Sequence, residues 1–216
     1  MVVLEGEAVA GPLAARLGVE VQASRETDHL DLVTRAAERV EHVVGLAAAP
    51  WPRSESLHAQ ASADLGTYTG VVSWHALPAL TDRLAEVCAP GVAQGAHLLV
   101  TAPDPGPTTA PEDLTFLREV AEALEQRLGP RSRSIAWRGT QRQPTAVDAL
   151  RTLVEAHGER TVVECPVAPG TGVDPVLQRT ADELGATVTC VDLGRDTLVE
   201  LLAEVVATVA EHDGLA

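Results

Sequence analysis

Short apolar runs rich in Val and Leu alternate along this chain with longer stretches in which apolar residues recur every three or four positions. The short runs predict buried strands, and the longer stretches predict amphipathic helices. Strands that alternate with helices of 10 to 15 residues predict βαβ units, and therefore parallel sheets covered by helices. The predicted strands are 2–4, 19–23, 42–46, 70–74, 97–101, 134–137, 161–165 and 186–191, and the predicted helices are 8–17, 29–40, 56–65, 78–87, 112–128, 145–156, 175–184 and 196–209.

The two halves of the chain resemble each other. HVVGLAAAP at 42–50 parallels TVVECPVAP at 161–169, and LAEV occurs both at 84–87 and at 202–205. A repeat of this length is too long for a solenoid unit. It predicts an α/β fold of two similar βαβ domains, each with a parallel four-stranded sheet, and a ligand cleft between them. Gly and Pro residues predict a linker at 91–95, so the predicted domains are 1–90 and 96–216.

Composition excludes several classes of function. Aromatic residues are only 2% of the chain, so Ala, Val and Leu must build the cores. The net charge of -15 argues against nucleic-acid binding, which needs a basic surface. We find neither a signal peptide nor an apolar run of about 18 residues, and so expect a cytoplasmic protein that does not engage a membrane. Cys88, Cys165 and Cys190 lack metal-site spacing and are predicted to be core residues.

Familiar nucleotide-binding and catalytic motifs are missing. The chain has no phosphate-binding loop, no hydrolase nucleophile elbow and no zinc-protease helix. Gly170 and Gly172 form only a fragment of a dinucleotide fingerprint, so no nucleotide cofactor is expected.

Three segments of the second half carry a resemblance to a known family. They are HLLVTA at 97–102 with the proline-rich loop after it, VVECPVAPGTGVD at 162–174 and VDLGRDTL at 191–198. With these segments the region 97–209 resembles the cobalt and iron chelatases of tetrapyrroles, namely sirohydrochlorin chelatases of the CbiX type and, more distantly, ferrochelatase. The first half matches more loosely, at 43–50 and 74–80.

The resemblance implies a two-domain fold that binds a tetrapyrrole in the interdomain cleft. It also implies a lyase activity, in which Co²⁺ or Fe²⁺ is inserted as a substrate into a tetrapyrrole such as sirohydrochlorin. Family members usually carry a His in the first loop and often another before the Asp of the later loop. Here the first loop has Asp104 and no His, and Val173 precedes Asp174. The alternative is therefore a catalytically inactive chelatase-fold protein that binds or carries a tetrapyrrole or another anionic ligand. Homodimerisation is compatible with the sequence, although no feature requires it.

Metal insertion needs a base for the pyrrole protons and a ligand that delivers the metal. At predicted strand ends the candidates are Asp104 and Asp174 as catalytic carboxylates, and His58 and His75 as metal ligands. Each also has a structural interpretation. His75 is also interpretable as a helix cap, His58 as a solvent-facing residue, Asp104 as a turn former and Asp174 as a helix N-cap.

A basic window stands out in this acidic chain. No acidic residue occurs between Glu125 and Asp148, where there are five arginines. Arginine pairs bidentately with carboxylates, so this window is a candidate cradle for an anionic substrate. The alternative is a solvated loop that balances a neighbouring acidic helix. The predicted substrate-binding residues are Arg131, Arg133, Arg138 and Arg142, with Trp51 and Trp137 either stacking on a macrocycle or packing at the domain interface.

Overall fold

The computed structural model describes residues 1–5, 7–24, 29–40, 42–47, 68–71, 78–103, 113–130, 132–158, 160–167 and 171–212. Within these ranges the strands are β1 Val2–Glu5, β2 Val21–Ser24, β3 Val43–Ala47, β4 Tyr68–Val71, β5 His97–Pro103, β6 Arg133–Arg138, β7 Thr161–Pro166 and β8 Thr187–Cys190. The helices are α1 Glu7–Leu17, α2 His29–Ala37, α3 Pro78–Ala93, α4 Asp113–Leu128, α5 Ala146–His157, α6 Pro175–Leu184 and α7 Gly194–His212. The predicted helix 56–65 lies outside the described residues.

The strands form two four-stranded sheets with the same internal order. The first sheet has the order β2-β1-β3-β4 and the second has the order β6-β5-β7-β8. Every pair of neighbouring strands is parallel. In each half, the first strand therefore lies between the second and the third, and the fourth strand lies at one side of the sheet. This architecture confirms the predicted α/β class with two similar parallel sheets, and the shared order is what an internal duplication would produce.

Apolar strands form the centre of the second sheet. Residues 98–102 of β5 and 162–166 of β7 are all buried. Parallel sheets with helices on both faces bury both sides of their strands, which explains why these segments are almost continuous apolar runs. Helix α3 packs tightly on β7, because a Cβ added at Gly91 would collide with Cγ2 of Val163.

Local signals fix the ends of α5 and α6. The side chain of Thr145 accepts a hydrogen bond from the backbone N–H of Asp148 at the start of α5, and Gly158 ends that helix in the left-handed conformation. The side chain of Asp174 caps α6, which begins at Pro175 and ends at Gly185, again left-handed. Both helices therefore follow the cap and glycine rules that can be read from sequence, and α6 follows the proline rule as well.

Contacts divide the chain into two compact units whose bounds differ from the predicted domains. One unit comprises residues 1–75 and 195–216, and the other comprises residues 76–194. Helix α3 belongs to the second unit because it packs on β7 and α4. The predicted linker 91–95 includes the last three residues of α3, which continue the helix as far as Ala93. In the described ranges, none of the helices combines the length and the apolar character that a membrane crossing requires.

Candidate functional site

The carboxyl edge of the second sheet brings together four strand ends. Strands β5, β6, β7 and β8 end at Pro103, Arg138, Pro166 and Cys190. Ligands of open parallel α/β sheets bind beyond this edge, because the connecting loops converge there. The second sheet is therefore the place to build a candidate site from its side chains.

Glu164 and Arg138 form a buried ion pair at this edge. The carboxylate of Glu164 accepts a hydrogen bond from Nε of Arg138 at 2.7 Å and another from the hydroxyl of Thr101 at 3.0 Å, both on Oε1. The side chains of Arg138 and Glu164 are only 9% and 1% exposed. Burial would lower the pKa of Arg138, but its contacts with Glu164 and Cys190 outweigh burial and raise that pKa. The guanidinium is therefore held in its charged form.

Arg138 links the ion pair to the loop before α6. Its Nη1 atom donates to the hydroxyl of Thr171 at 3.0 Å and to the carbonyl of Gly172 at 2.8 Å. Its Nη2 atom donates to Sγ of Cys190 at 3.3 Å, and that thiol donates to the carbonyl of Gly172 at the same distance. One guanidinium thus joins β7, β8 and the loop at Thr171 and Gly172.

Asp192 binds the backbone N–H of Gly172, whereas Arg138 binds the carbonyl of that residue. Its carboxylate accepts from the backbone N–H of Gly172 at 2.9 Å and from that of Gly194 at 3.2 Å. Gly172 has a φ of +63°, a conformation that favours glycine over any residue with a side chain. We call the set Thr101, Arg138, Glu164, Thr171, Gly172, Cys190 and Asp192 the edge network. Since both polar backbone groups of Gly172 are engaged, the edge network fixes the position of this loop.

The three cysteines occupy two environments. Cys88 and Cys165 are completely buried, as the sequence predicted. A hydrogen bond with Cys88, together with burial, raises the pKa of Cys165 well above its usual value. The prediction of a core position is wrong for Cys190, which lies at the edge and is partly exposed. Burial and the charge of Glu164 raise its pKa, although Arg138 acts in the opposite direction.

Five of the predicted site residues fall in the described ranges. Asp174 is the N-cap of α6, and its Oδ1 atom accepts from the backbone N–H groups of Val176 at 2.8 Å and Leu177 at 3.2 Å. The side chain of Arg138 belongs to the edge network, where the chain itself provides its partners. The predicted residues Trp51, His58, His75, Asp104 and Arg131 lie outside the described residues.

Among the described arginines of the window, Arg133 and Arg138 do not lie together. Arg133 and Arg138 begin and end β6, so about 16 Å of extended strand separates them. Arg133 pairs with Glu125 of α4, and Arg127 pairs with Asp82 of α3. These two arginines therefore balance acidic side chains on neighbouring helices, which was the alternative interpretation of the window.

Trp137 and Arg142 contact each other. The guanidinium of Arg142 lies over the indole ring of Trp137, 5.8 Å from its centroid. Trp137 is only 3% exposed. Stacking of a macrocycle on this ring stays a prediction, and it would require the ring to be uncovered. Arg142 follows the carboxyl end of β6 and is half-buried.

Sequence reasoning did not identify Glu164, Thr101, Cys190 or Asp192 as site residues. Glu164 carried a signal, because it is the one charged residue in the apolar run VVECPV at 162–167. A carboxylate in a fully buried strand needs a partner. Asp192 lies in the segment 191–198 that resembles the chelatases, but nothing marked this residue within the segment. Thr101 and Cys190 carried no comparable signal, since their roles depend on which strands become neighbours. Among the described residues, no group of three or more His, Cys, Asp or Glu side chains is arranged to hold a metal ion.

Comparisons with known proteins support the fold. No protein-family model and no curated protein matches the chain. Among solved structures, the sirohydrochlorin chelatase SirB of Bacillus subtilis subspecies spizizenii, solved in complex with cobalt, matches with a TM-score of 0.54 at 12% identity. The match covers 97% of this chain and 94% of SirB. The chain therefore has a chelatase-like α/β fold with two similar parallel sheets.

Two sugar-binding proteins also match, each with a TM-score of 0.46 and 14% identity. One is a carbohydrate transporter of Acidothermus cellulolyticus in complex with myo-inositol, for which the match covers 88% of this chain and 72% of that protein. The other is an ABC transporter solute-binding protein of Burkholderia graminis in complex with D-arabinose, for which the match covers 94% of this chain and 88% of that protein.

Proposed function

We propose that this chain is a chelatase-fold protein that binds an anionic tetrapyrrole, such as sirohydrochlorin, at the carboxyl edge of the second sheet. Support comes from the likeness of its fold to that of SirB over nearly the whole length of both chains. The segments 162–174 and 191–198, which carry the sequence resemblance to the chelatases, supply the loop at Gly172 and the carboxylate of Asp192. The edge that the fold favours for a ligand and the loops of the sequence resemblance therefore coincide.

One observation favours binding over metal insertion at this edge. Insertion needs a carboxylate or imidazole that can accept pyrrole protons and a ligand that can release a metal ion. The carboxylates of Glu164, Asp174 and Asp192 instead accept hydrogen bonds from the chain itself. In the described part of this edge, the acidic groups hold the loop and the start of α6. This arrangement supports a binding surface that is formed before the ligand arrives.

Metal insertion, with Co²⁺ or Fe²⁺ as a substrate, is the second candidate, because SirB was solved with cobalt. Its proposed residues are Asp174, His58, His75 and Asp104.

We propose that Arg142, which follows β6 at the same edge, binds a carboxylate of the tetrapyrrole. Arg133, at the opposite end of β6, is not part of this proposed site.

An absorbance titration of the purified protein with sirohydrochlorin tests the proposal. We expect a saturable shift of the tetrapyrrole spectrum in the absence of metal. A spectrum that is unchanged at every protein concentration would refute binding. The same titration with cobalt(II) separates the two candidates, because only insertion would speed the spectral conversion beyond its rate without protein.

A further inference from the structure

Two valines beside the edge network are exposed to an unusual degree. Val173 is 59% exposed and Val176 is 54% exposed. In the described ranges, Val19 is the one other exposed large hydrophobic residue, at 43%. Scattered exposed apolar residues need no explanation, but these two lie only three positions apart, at the start of α6.

The chain holds these valines in place. Gly172, directly before Val173, is hydrogen-bonded through its N–H to Asp192 and through its carbonyl to Arg138. The backbone N–H of Val176 donates to the capping carboxylate of Asp174 at 2.8 Å. A ligand that contacts this surface would not have to order the loop first, so less of the binding free energy is lost to conformational entropy.

Several residues close to the two valines in the chain are exposed to solvent. Thr171, Gly172 and Pro175, which neighbour the two valines in the chain, are exposed as well and have small side chains or none. A Cβ added at Gly172 would meet no heavy atom within 4 Å, so there is open space over the loop at that point. A ligand can therefore approach the loop at Gly172 without meeting a side chain at that point.

We propose that Val173 and Val176 form the apolar contact for one face of the bound tetrapyrrole ring. This inference rests on the proposed function. The scale of the surface favours a small ligand over a protein partner, because a stable protein interface uses about 20–30 residues a side. Ligand sites combine an apolar lining with a few polar groups, and Arg142, which we propose to meet a carboxylate of the ligand, would supply such a group at the same edge.

The test compares Val173→Ser, Val176→Ser and their double variant with Val19→Ser, which removes an exposed valine from the other unit. Sirohydrochlorin is the probe, and its Kd is measured by absorbance titration. We expect Kd to rise about tenfold for each substitution at the edge, as the loss of one buried apolar side chain predicts. Val19→Ser should leave Kd unchanged. All four variants should unfold at the wild-type urea concentration, since the substituted side chains are exposed.

Three results would overturn the inference. Wild-type protein that does not bind sirohydrochlorin would overturn the proposed function together with it. Wild-type binding that is retained in the double variant would overturn the contact alone and leave the proposed function standing. A double variant that changes the sedimentation coefficient, but not Kd, would assign the valines to contacts between copies of the chain.

Discussion

Nε of Arg138 lies 2.7 Å from Oε1 of Glu164, although the residues come from β6 and β7, which are separated by β5. Thr101 of that intervening strand donates to the same oxygen at 3.0 Å. The ion pair therefore crosses the central strand at the carboxyl edge of the sheet. It connects the strand framework to the loop at Gly172, so both stability and ligand binding are expected to depend on it.

Glu164→Gln should destabilise the protein strongly, because it leaves the buried charge of Arg138 without its partner. Loss of one member of a buried pair costs about 3–5 kcal/mol. The matched control is Asp82→Asn, which breaks the more exposed pair with Arg127 and should cost less than about 1 kcal/mol. Urea unfolding followed by circular dichroism measures both. Equal losses in the two variants would show that the buried pair has no special role.

Gly91→Ala should destabilise the protein by about 1–3 kcal/mol, the usual cost of overpacking. The new methyl group would collide with Val163, whose side chain lies in the core between α3 and β7. Shortening the opposing side chain supplies the control, since Val163→Ala makes room for the methyl group. In thermal unfolding, Gly91→Ala should therefore cost less in a Val163→Ala background than in the wild type. Additive effects would contradict this packing.

Asp174→Asn should change stability by no more than a few tenths of a kcal/mol, because Asn is as good an N-cap as Asp. Asp174→Ala should cost about 1 kcal/mol, because the hydrogen bonds to Val176 and Leu177 are lost. Urea denaturation of the two variants measures this difference. In the binding account, Asp174→Asn also retains the affinity for sirohydrochlorin. If the wild type speeds cobalt insertion and Asp174→Asn does not, Asp174 is a catalytic carboxylate, as the sequence resemblance implied.

The thiol of Cys190 should ionise at a higher pH than a free thiol. Burial and the charge of Glu164 disfavour the thiolate more than Arg138 favours it. The folded protein therefore holds this proton more tightly than the unfolded chain. Its contribution to stability is present below the ordinary thiol pKa, about 8.5, and is lost as the pH rises through the raised pKa.

Iodoacetamide labelling at increasing pH, analysed by peptide mass spectrometry, measures this ionisation. The rate for Cys190 should reach half its maximum at a higher pH than that for N-acetylcysteine. Cys88 and Cys165, which are fully buried, should label more slowly than Cys190 at every pH. A half-maximal pH for Cys190 at or below that of the reference thiol would contradict the structure.

Local signals in the sequence predicted the elements well. The helix Pro175–Leu184 was predicted with its observed bounds, because Asp174, Pro175 and Gly185 each mark a helix end by their own chemistry. The two parallel sheets followed from the alternation of strands and helices and from the repeat. These features depend on residues close together in the chain.

The edge network depends instead on strand order. Glu164 and Arg138 are 26 positions apart and meet only because β5 pairs with both β6 and β7. The sequence suggested one cradle of arginines, but an extended strand places Arg133 and Arg138 at opposite edges of the sheet. Helix α3 likewise joins the second unit through its packing on β7, which no local pattern reveals.

Titration of the wild-type protein with sirohydrochlorin, first without metal and then with cobalt(II), tests directly whether this chain binds a tetrapyrrole. We predict a saturable spectral shift without metal and a rate of cobalt insertion equal to that of the protein-free control. Cobalt insertion faster than the control would contradict binding without insertion and establish a chelatase. The absence of any spectral shift would contradict tetrapyrrole binding altogether.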